Sequence, residues 1–275
     1  MKKQSAVDPM TRFSFGKNWS RFLKYLNEER IVEAEKSIQE KLGLSDLSGK
    51  TFLDIGSGSG LFSLAAHRLG ASVHSFDYDQ DSVNCTKYLK EKYGDNARQW
   101  VVEQGSILNK DFLDKFKHFD IVYSWGVLHH TGHMYDALKN ASTLVKEGGT
   151  LFISIYNDQG GASKRWKWVK LKYNQGNVII KSMLAAYTLL KQWTPTFVRD
   201  LIKYKNPLKT WVAYGKNNRG MSAWHDIVDW VGGYPFEVAK PEEIFDFFKD
   251  KGFSLDKIKT FYGGVGCNEF VFIKK

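Results

Sequence analysis

Between residues 51 and 156, short apolar stretches of strand length alternate with longer stretches in which apolar residues recur at helical spacing. Strands separated by helices of this length form a parallel sheet that helices cover on both faces. Ligands of such sheets bind beyond the carboxyl ends of the strands. We therefore expect a binding cleft in the loops that follow the strands. The predicted strands are 51–55, 72–77, 99–104, 119–125 and 150–156, and the predicted helices are 60–69, 80–93 and 134–145.

Outside this alternation the chain is predicted to be mainly helical. Residues 17–42 place apolar side chains at helical spacing, which predicts one or two amphipathic helices ahead of the sheet. Residues 163–219 are rich in aromatic and basic side chains and predict further helices, with breaks at Pro195 and Pro207. The last predicted elements are a helix from Pro241 to about residue 250 and a hairpin of two strands, 253–261 and 269–273.

These patterns divide the chain into three parts. An N-terminal helical lid covers residues 1–45, a core domain covers 46–160 and 238–275, and a basic, aromatic, helical insertion covers 161–237. The chain has 275 residues and is 43% hydrophobic, which suffices for one large core together with a smaller helical unit.

The positive charge of the chain is concentrated in the insertion. The whole chain carries +10, but residues 164–219 contain thirteen Lys and Arg against one acid, Asp200, which gives this segment +12 and leaves −2 for the rest. Four interpretations stay open for it: a cap that attracts an anionic substrate, a surface that meets anionic membrane, an RNA-binding element, and a helical subdomain with a solvated basic face. The sequence shows no RNA-binding module, which disfavours nucleic acid as a partner.

Cysteine content and hydropathy indicate the compartment. The two cysteines, Cys85 and Cys267, are far apart and lack metal-ligand spacing, so we expect neither a disulfide framework nor a metal site. No apolar run approaches the ~20 residues that span a bilayer. The N-terminus has no apolar stretch typical of a secretory signal. We expect a cytoplasmic protein, membrane-associated only if the basic segment meets lipid.

Three alternating glycines follow the first predicted strand in the stretch TFLDIGSGSG. A dinucleotide-binding loop has the pattern G-x-G-x-x-G, which this loop departs from at its third glycine. Asp54 stands two residues before the first glycine, where a carboxylate repels a pyrophosphate but suits an ammonium or sulfonium group. Asp77 ends the second strand, where an acid can hydrogen-bond the two hydroxyls of a ribose. The stretch therefore predicts a nucleoside ligand with a positively charged tail.

At these residues the chain resembles the class I S-adenosylmethionine-dependent methyltransferases. LDIGSGSG resembles their cofactor loop, SFDYD their ribose-binding acid, QGSIL the segment beside the adenine, and FDIVYSWGVLHH their fourth strand and active-site turn. The resemblance covers about 45–158 and 240–275, and the chain is most similar to small-molecule methylases of the quinone-biosynthesis type. It implies an α/β, Rossmann-like fold with a mostly parallel sheet of seven strands, in the order 3-2-1-4-5-7-6, whose last strand is reversed.

The resemblance also implies S-adenosyl-L-methionine as the cofactor and assigns residues to it. Asp77 has the alternative role of a helix cap, as have Asp79 and Asp81, and Ser106 and Ile107 have the alternative of ordinary loop and core positions. The assigned cofactor-binding residues are Asp54, Gly56, Ser57, Gly58, Gly60, Asp77, Tyr78, Ser106, Ile107 and Trp125.

Methyl transfer is an in-line displacement that needs a positioned acceptor and, for a hydroxyl acceptor, a base. Imidazole suits that role because its ordinary pKa lies near neutrality. The candidate bases are His129, which we place first, His130, and His225 with Asp229 one helical turn further on. Structural or substrate-orienting histidines are the alternative. Tyr156 and Asn157, at the end of the fifth strand, are the candidate acceptor-binding residues.

We expect methyl transfer to oxygen or nitrogen of a small molecule, such as a quinone precursor or an anionic sugar-type metabolite. Two alternatives stay open at this stage. The first is RNA methylation, and the second is a non-catalytic protein that binds S-adenosylmethionine.

Overall fold

Seven strands form one sheet in the part of the chain that the computed structural model describes, which comprises residues 13–95, 98–217, 223–261 and 266–275. The strands are β1 (Thr51–Ile55), β2 (Ser72–Asp77), β3 (Trp100–Gln104), β4 (Phe119–Trp125), β5 (Val145–Tyr156), β6 (Phe253–Lys259) and β7 (Cys267–Lys274). Their order is β3-β2-β1-β4-β5-β7-β6, as predicted. Strand β7 pairs antiparallel with both β5 and β6, and the other pairs are parallel.

The helices cover both faces of this sheet. In chain order they are α1 (Gly16–Phe22), α2 (Glu28–Leu42), α3 (Leu61–Arg68), α4 (Gln80–Tyr93), α5 (Lys110–Leu113), α6 (Met134–Thr143), α7 (Gly161–Gln175), α8 (Val178–Tyr204), α9 (Lys209–Asn217), α10 (Ala223–Gly232) and α11 (Pro241–Lys249). The predicted bounds of β1, β2, β4 and α4 are confirmed. Strand β5 begins five residues before its predicted start, and the short helix α5 was not predicted.

Adjacent residues of β1 show how the core is divided between the two faces. Phe52 packs with buried side chains of α2 and α3, whereas Leu53 packs with those of α6 and α11. Successive side chains of a strand point to opposite faces, so a near-continuous apolar strand serves both layers. This double burial fixes the strand register and holds the strand ends, and hence the loops after them, in place.

The helices ahead of the sheet form where they were predicted. Asn27 caps α2 by accepting a hydrogen bond from the backbone N–H of Arg30. Helix α1 lies against α4, where Ser20 Oγ and Cys85 Sγ are 3.4 Å apart. Residues 1–12 of the predicted lid lie outside the described part of the chain, as do residues 262–265 of the predicted hairpin.

The insertion contains four helices within the described residues, α7 to α10. The prediction that Pro195 breaks a helix is wrong, because α8 continues through it to Tyr204. Proline removes one backbone donor, but Trp193 and Phe197, which stand on either side of Pro195, both pack against Trp211 of α9 and hold the helix together there. Pro207 does follow the end of α8. No described helix is long and apolar enough to cross a membrane. The division of the chain at residues 45, 160 and 237 stays a prediction.

Candidate active site

A cavity of about 710 Å³ opens at the carboxyl ends of β1, β2, β4 and β5. The loops after these strands line it, together with residues of the N-terminal segment and of α10. This is the edge of the sheet where the strand–helix alternation predicts ligand binding. Of the ten residues assigned to the cofactor, nine line the cavity.

Asp77 faces the cavity and organises the glycine loop. Its Oδ2 accepts a hydrogen bond from the backbone N–H of Gly58 at 2.9 Å, and its Oδ1 accepts one from that of Asp79 at 2.8 Å. Asp79 is the N-cap of α4, since its carboxylate accepts from the N–H of Asp81. The helix-cap alternative therefore applies to Asp79, whereas Asp77 lines the cavity.

Gly60 is the one assigned cofactor residue that lies outside the cavity wall. Its φ is +82°, and a Cβ at this position would lie 2.7 Å from Cα of Thr86 on α4. Gly60 is thus required for the close packing of the loop against α4. The assignment of Gly60 to the cofactor stays a prediction.

Asp54 is buried at the floor of the cavity, with 3% of its surface exposed. Burial raises its pKa to about 7, although a hydrogen bond donated by Ser63 Oγ at 2.5 Å opposes this rise; the charge of Asp77 adds to it. Ser63 Oγ in turn accepts from Ser75 Oγ, which accepts from Trp100 Nε1. A positive charge in the cavity would favour the ionised form of Asp54.

The remaining assigned cofactor residues differ in what else they contact. Trp125 is held by a hydrogen bond from its Nε1 to Oε1 of Glu269 at 2.9 Å. Tyr78 is half exposed at the rim of the cavity. Ser106 and Ile107 line the cavity, and Ile107 is also part of the core, so the core alternative holds for Ile107, and the cofactor contact of both residues stays a prediction.

The structure reverses the order of the paired histidines. His130 lines the cavity, and its Nδ1 lies 2.6 Å from the carbonyl oxygen of Pro235. A carbonyl only accepts, so Nδ1 carries the proton and Nε2 is the basic atom of the neutral ring. His129 is fully buried outside the cavity wall, and its Nδ1 accepts from the N–H of Tyr156. Burial lowers the pKa of His129 well below its ordinary value, which keeps this ring neutral.

Helix α10 contributes two carboxylates to the site, although the sequence predicted only that Asp229 would orient His225. Asp226 and Asp229 both line the cavity. Burial and the neighbouring Asp226 raise the pKa of Asp229 to about 7, and Asn18 Nδ2 donates a hydrogen bond to Asp229 Oδ1. The spacing of Asp226, Asp229 and Trp230 puts them on one face of α10, and this spacing could have predicted from the sequence that they line a common surface. The side chain of His225, the third candidate base, lies outside what the structure describes.

Of the two candidate acceptor-binding residues, only one lines the cavity. Tyr156 lines the cavity, and its ring packs 4.0 Å from that of His129. Asn157 lies outside the wall, and its side chain donates to the carbonyl of Phe261 and accepts from Nδ2 of Asn268. Asn157 therefore holds the end of β6 to β7, and its predicted contact with the acceptor is not supported.

The N-terminal segment covers the cavity with aromatic side chains that were not assigned to the site. Phe13, Phe15 and Trp19 line it. The segment is fixed because Ser14 Oγ and the N–H of Gly16 both donate to Asp79 Oδ2 at 3.0 Å. Aromatic residues ahead of an amphipathic helix give no local signal of where they pack. In the described part of the chain, no group of three His, Cys, Asp or Glu side chains could hold a metal ion.

Comparison with known proteins agrees with this geometry. The family model of the methyltransferase domain matches residues 26–201. The chain belongs to the class I S-adenosylmethionine-dependent methyltransferases. The cofactor of this methyltransferase is S-adenosylmethionine. The nine assigned residues that line the cavity form the part of it that would hold this cofactor.

Two relatives named as methyltransferases and one solved methyltransferase structure are similar to this chain. The ubiquinone biosynthesis O-methyltransferase of Coxiella burnetii (strain RSA 493 / Nine Mile phase I) is 33% identical over 135 residues, 49% of this chain and 53% of that protein. That of Pelagibacter ubique (strain HTCC1062) is 24% identical over 196 residues, 71% of this chain and 70% of that protein. The chain spans about half the length of the Coxiella relative. A crystal structure of magnesium protoporphyrin IX methyltransferase from Synechocystis PCC 6803 with bound SAM matches with a TM-score of 0.56 at 12% identity, over 99% of this chain and 100% of that one, and shows the same fold.

Proposed function

We propose that this methyltransferase transfers the methyl group of S-adenosylmethionine to an oxygen or nitrogen atom of a small-molecule acceptor. The observation that carries the proposal is the continuity of the cavity. One space of about 710 Å³ is lined by Asp54 and Asp77 in its cofactor part and by His130 and Asp229 in the part beneath α10. A cavity of this size falls in the ~300–1,000 Å³ range of small-ligand sites, so cofactor and a small acceptor can occupy it together.

The reaction requires that the acceptor lone pair form a bond to the methyl carbon while the carbon–sulfur bond breaks and its electron pair stays on sulfur. A hydroxyl acceptor also loses a proton to a base. His130 Nε2 and the Asp229 carboxylate are the two candidate bases in the cavity wall. His130 lies close to the backbone at the end of α10, because a Cβ at Gly233 would lie 3.3 Å from Cε1 of His130 and 3.1 Å from the backbone carbonyl oxygen of Asp229.

The chemistry of the wall favours a flat acceptor without negative charge. Phe15, Tyr156 and Trp230 supply aromatic surface, and Asp226 and Asp229 supply carboxyl groups. Among the described residues that line the cavity there is no Lys or Arg, which disfavours the anionic sugar-type acceptor and a cap that attracts it. An aromatic ring with a hydroxyl group fits this wall, and the relatives named for ubiquinone biosynthesis support the same class.

The two alternatives have less support. An acidic and aromatic wall covered by the N-terminal segment is a poor site for RNA, whose phosphates need cationic contacts. A protein that only binds the cofactor does not require a base in the cavity, whereas His130 and Asp229 both line it. A competent enzyme converts the cofactor to S-adenosylhomocysteine in the presence of an acceptor, whereas a pure binder leaves it unchanged.

The test is a screen with S-adenosylmethionine labelled in its methyl group. Catechol, a sugar phosphate and a short RNA are the probe acceptors, and labelled product is measured together with S-adenosylhomocysteine. We expect product from catechol only. Label in the RNA or in the sugar phosphate alone, or cofactor that stays intact in the presence of catechol, would contradict the proposal.

Variants then identify the base. We expect His130→Gln or Asp229→Asn to lower kcat by about 100-fold, the usual contribution of a general base, without changing the affinity for S-adenosylhomocysteine. Asp111→Asn is the matched control, since Asp111 is exposed and lies outside the cavity wall. If both variants keep full kcat, neither residue is the base.

A further inference from the structure

Helix α8 exposes an apolar face to solvent along most of its length. We call this face the α8 stripe; it consists of Ile179, Met183, Tyr187, Leu190, Val198 and Ile202, which are between 37% and 71% exposed. These residues recur at intervals of three and four, or multiples of them, so they lie along one side of the helix, with exposed Thr194 between Leu190 and Val198. At a rise of 1.5 Å per residue, the line is about 35 Å long.

The opposite face of α8 is already partnered within the chain. Ala185, Thr188 and Trp193 are buried there, and Trp193 packs with Ile227 of α10. Single exposed apolar side chains are normal on a protein surface, but a contiguous apolar patch of this length marks a contact with a partner or with lipid. The stripe therefore needs an occupant from outside the described chain.

Charge decides between the possible occupants. The segment 164–219 carries a formal charge of +12; its Lys170 is buried, but Lys181, Lys191 and Lys203 of α8 are exposed. A second copy of the chain would bring two such segments together, and their like charges would repel. RNA would meet the cations but leave the stripe in water. An anionic membrane surface satisfies both features, because its headgroups attract the cations and its acyl boundary takes up the apolar side chains.

We propose that α8 docks this methyltransferase on an anionic phospholipid membrane, with the stripe lying in the interface parallel to the bilayer. Docking does not depend on the identity of the acceptor. The position of α8 also determines which side of the cavity faces the membrane. Helix α10 packs on α8 and carries Asp229 and Trp230 in the cavity wall, so the membrane would lie on the acceptor side of the molecule.

The test is co-sedimentation of the full chain with unilamellar vesicles. One set contains phosphatidylcholine alone, and the other contains about one third phosphatidylglycerol, which supplies the negative surface. We expect binding to the second set that weakens when salt is raised from about 0.1 M to about 0.5 M, because added ions screen the cations from the headgroups.

The double variant Met183→Glu/Leu190→Glu tests the stripe itself. Both side chains are more than 60% exposed, so the fold tolerates the change, and unchanged affinity for S-adenosylhomocysteine reports that it does. We expect vesicle binding to fall by at least about tenfold, since two apolar anchors are lost and two charges of the wrong sign are added. Ile258→Glu is the matched control, because Ile258 is 46% exposed on β6, outside the stripe, and it should bind vesicles as the parent does.

Three outcomes would overturn the proposal. The first is equal binding to both vesicle compositions or binding to neither. The second is salt-sensitive binding that the double variant leaves unchanged, which would mean that the cations alone act, as they would with any polyanion. The third is a dimer in sedimentation velocity that the double variant dissociates while vesicles bind neither protein, which would mean that a second copy covers the stripe.

Discussion

Replacing Asp54 with Asn should raise the stability of the ligand-free methyltransferase, relative to the parent, more at pH 8 than at pH 5. Burial raises the pKa of Asp54 to about 7 in the folded protein, whereas its ordinary value is 3.8. Between these two values the unfolded chain ionises Asp54 while the folded protein keeps it protonated. Ionisation therefore favours unfolding, and stability is lost as the pH rises through this window. Asn keeps an oxygen that accepts from Ser63 Oγ but cannot ionise.

The expected size follows from the two pKa values. A difference between 3.8 and about 7 is worth about 4 kcal/mol once the pH exceeds both values, and about 2.5 kcal/mol of it accrues between pH 5 and pH 8. The new amide N–H group adds a cost of its own, but that cost is the same at both pH values. The prediction therefore concerns the change with pH rather than the absolute stability.

Urea denaturation at pH 5 and pH 8 measures this change. The free energy of unfolding of Asp54→Asn, relative to the parent, should be higher at pH 8 than at pH 5 by about 2–3 kcal/mol. Asp111→Asn, at an exposed position, should show no such difference between the two pH values. If the gain of Asp54→Asn is the same at pH 5 and pH 8, Asp54 is not a buried carboxyl with a raised pKa, and the electrostatic account of the cavity floor is wrong.

Three further predictions concern the ends of β1 and β2 and the glycine loop between β1 and α3. Asp77→Ala should weaken the binding of S-adenosylhomocysteine by about 1–3 kcal/mol, because a charged acceptor is lost. The control is Asp111→Ala, and if calorimetry gives the two variants the same affinity, Asp77 does not contact the ligand. Asp54→Asn should weaken the binding of S-adenosylmethionine, which carries a sulfonium charge, more than that of neutral S-adenosylhomocysteine, and equal losses in paired titrations would argue against a charge contact. Gly60→Ala should lower the free energy of unfolding by about 1–3 kcal/mol more than Gly148→Ala. Both glycines have positive φ, but only Gly60 has a backbone atom 2.7 Å from the added Cβ, so equal losses in thermal unfolding would refute the packing role.

The sheet could be predicted from the sequence because its signals are local. Each strand from β1 to β5 is a short apolar run followed by a loop, and Asp54 and Asp77 stand at the strand ends where the pattern predicts ligand contacts. The cofactor part of the site follows from these strand ends with little tertiary information. Even there, the packing role of Gly60 depends on Thr86, which lies 26 residues further on.

The acceptor part of the site could not be predicted in the same way. His129 and His130 are adjacent in sequence, and the carbonyl of Pro235 and the packing of Tyr156 decide which of them faces the cavity. Asp229 enters the site only because α10 folds back over the end of β5. Helix α8 continues through Pro195 because packing from the other helices of the insertion outweighs the local preference for a break.

Calorimetric titration of the purified chain with S-adenosylhomocysteine and, separately, with NAD tests the central claim most directly. That claim is that two carboxylates beside a nucleoside cleft select a sulfur-containing nucleoside and reject a diphosphate. We predict saturable, one-to-one binding of S-adenosylhomocysteine and no detectable heat with NAD. Tight binding of NAD together with no response to S-adenosylhomocysteine would contradict it.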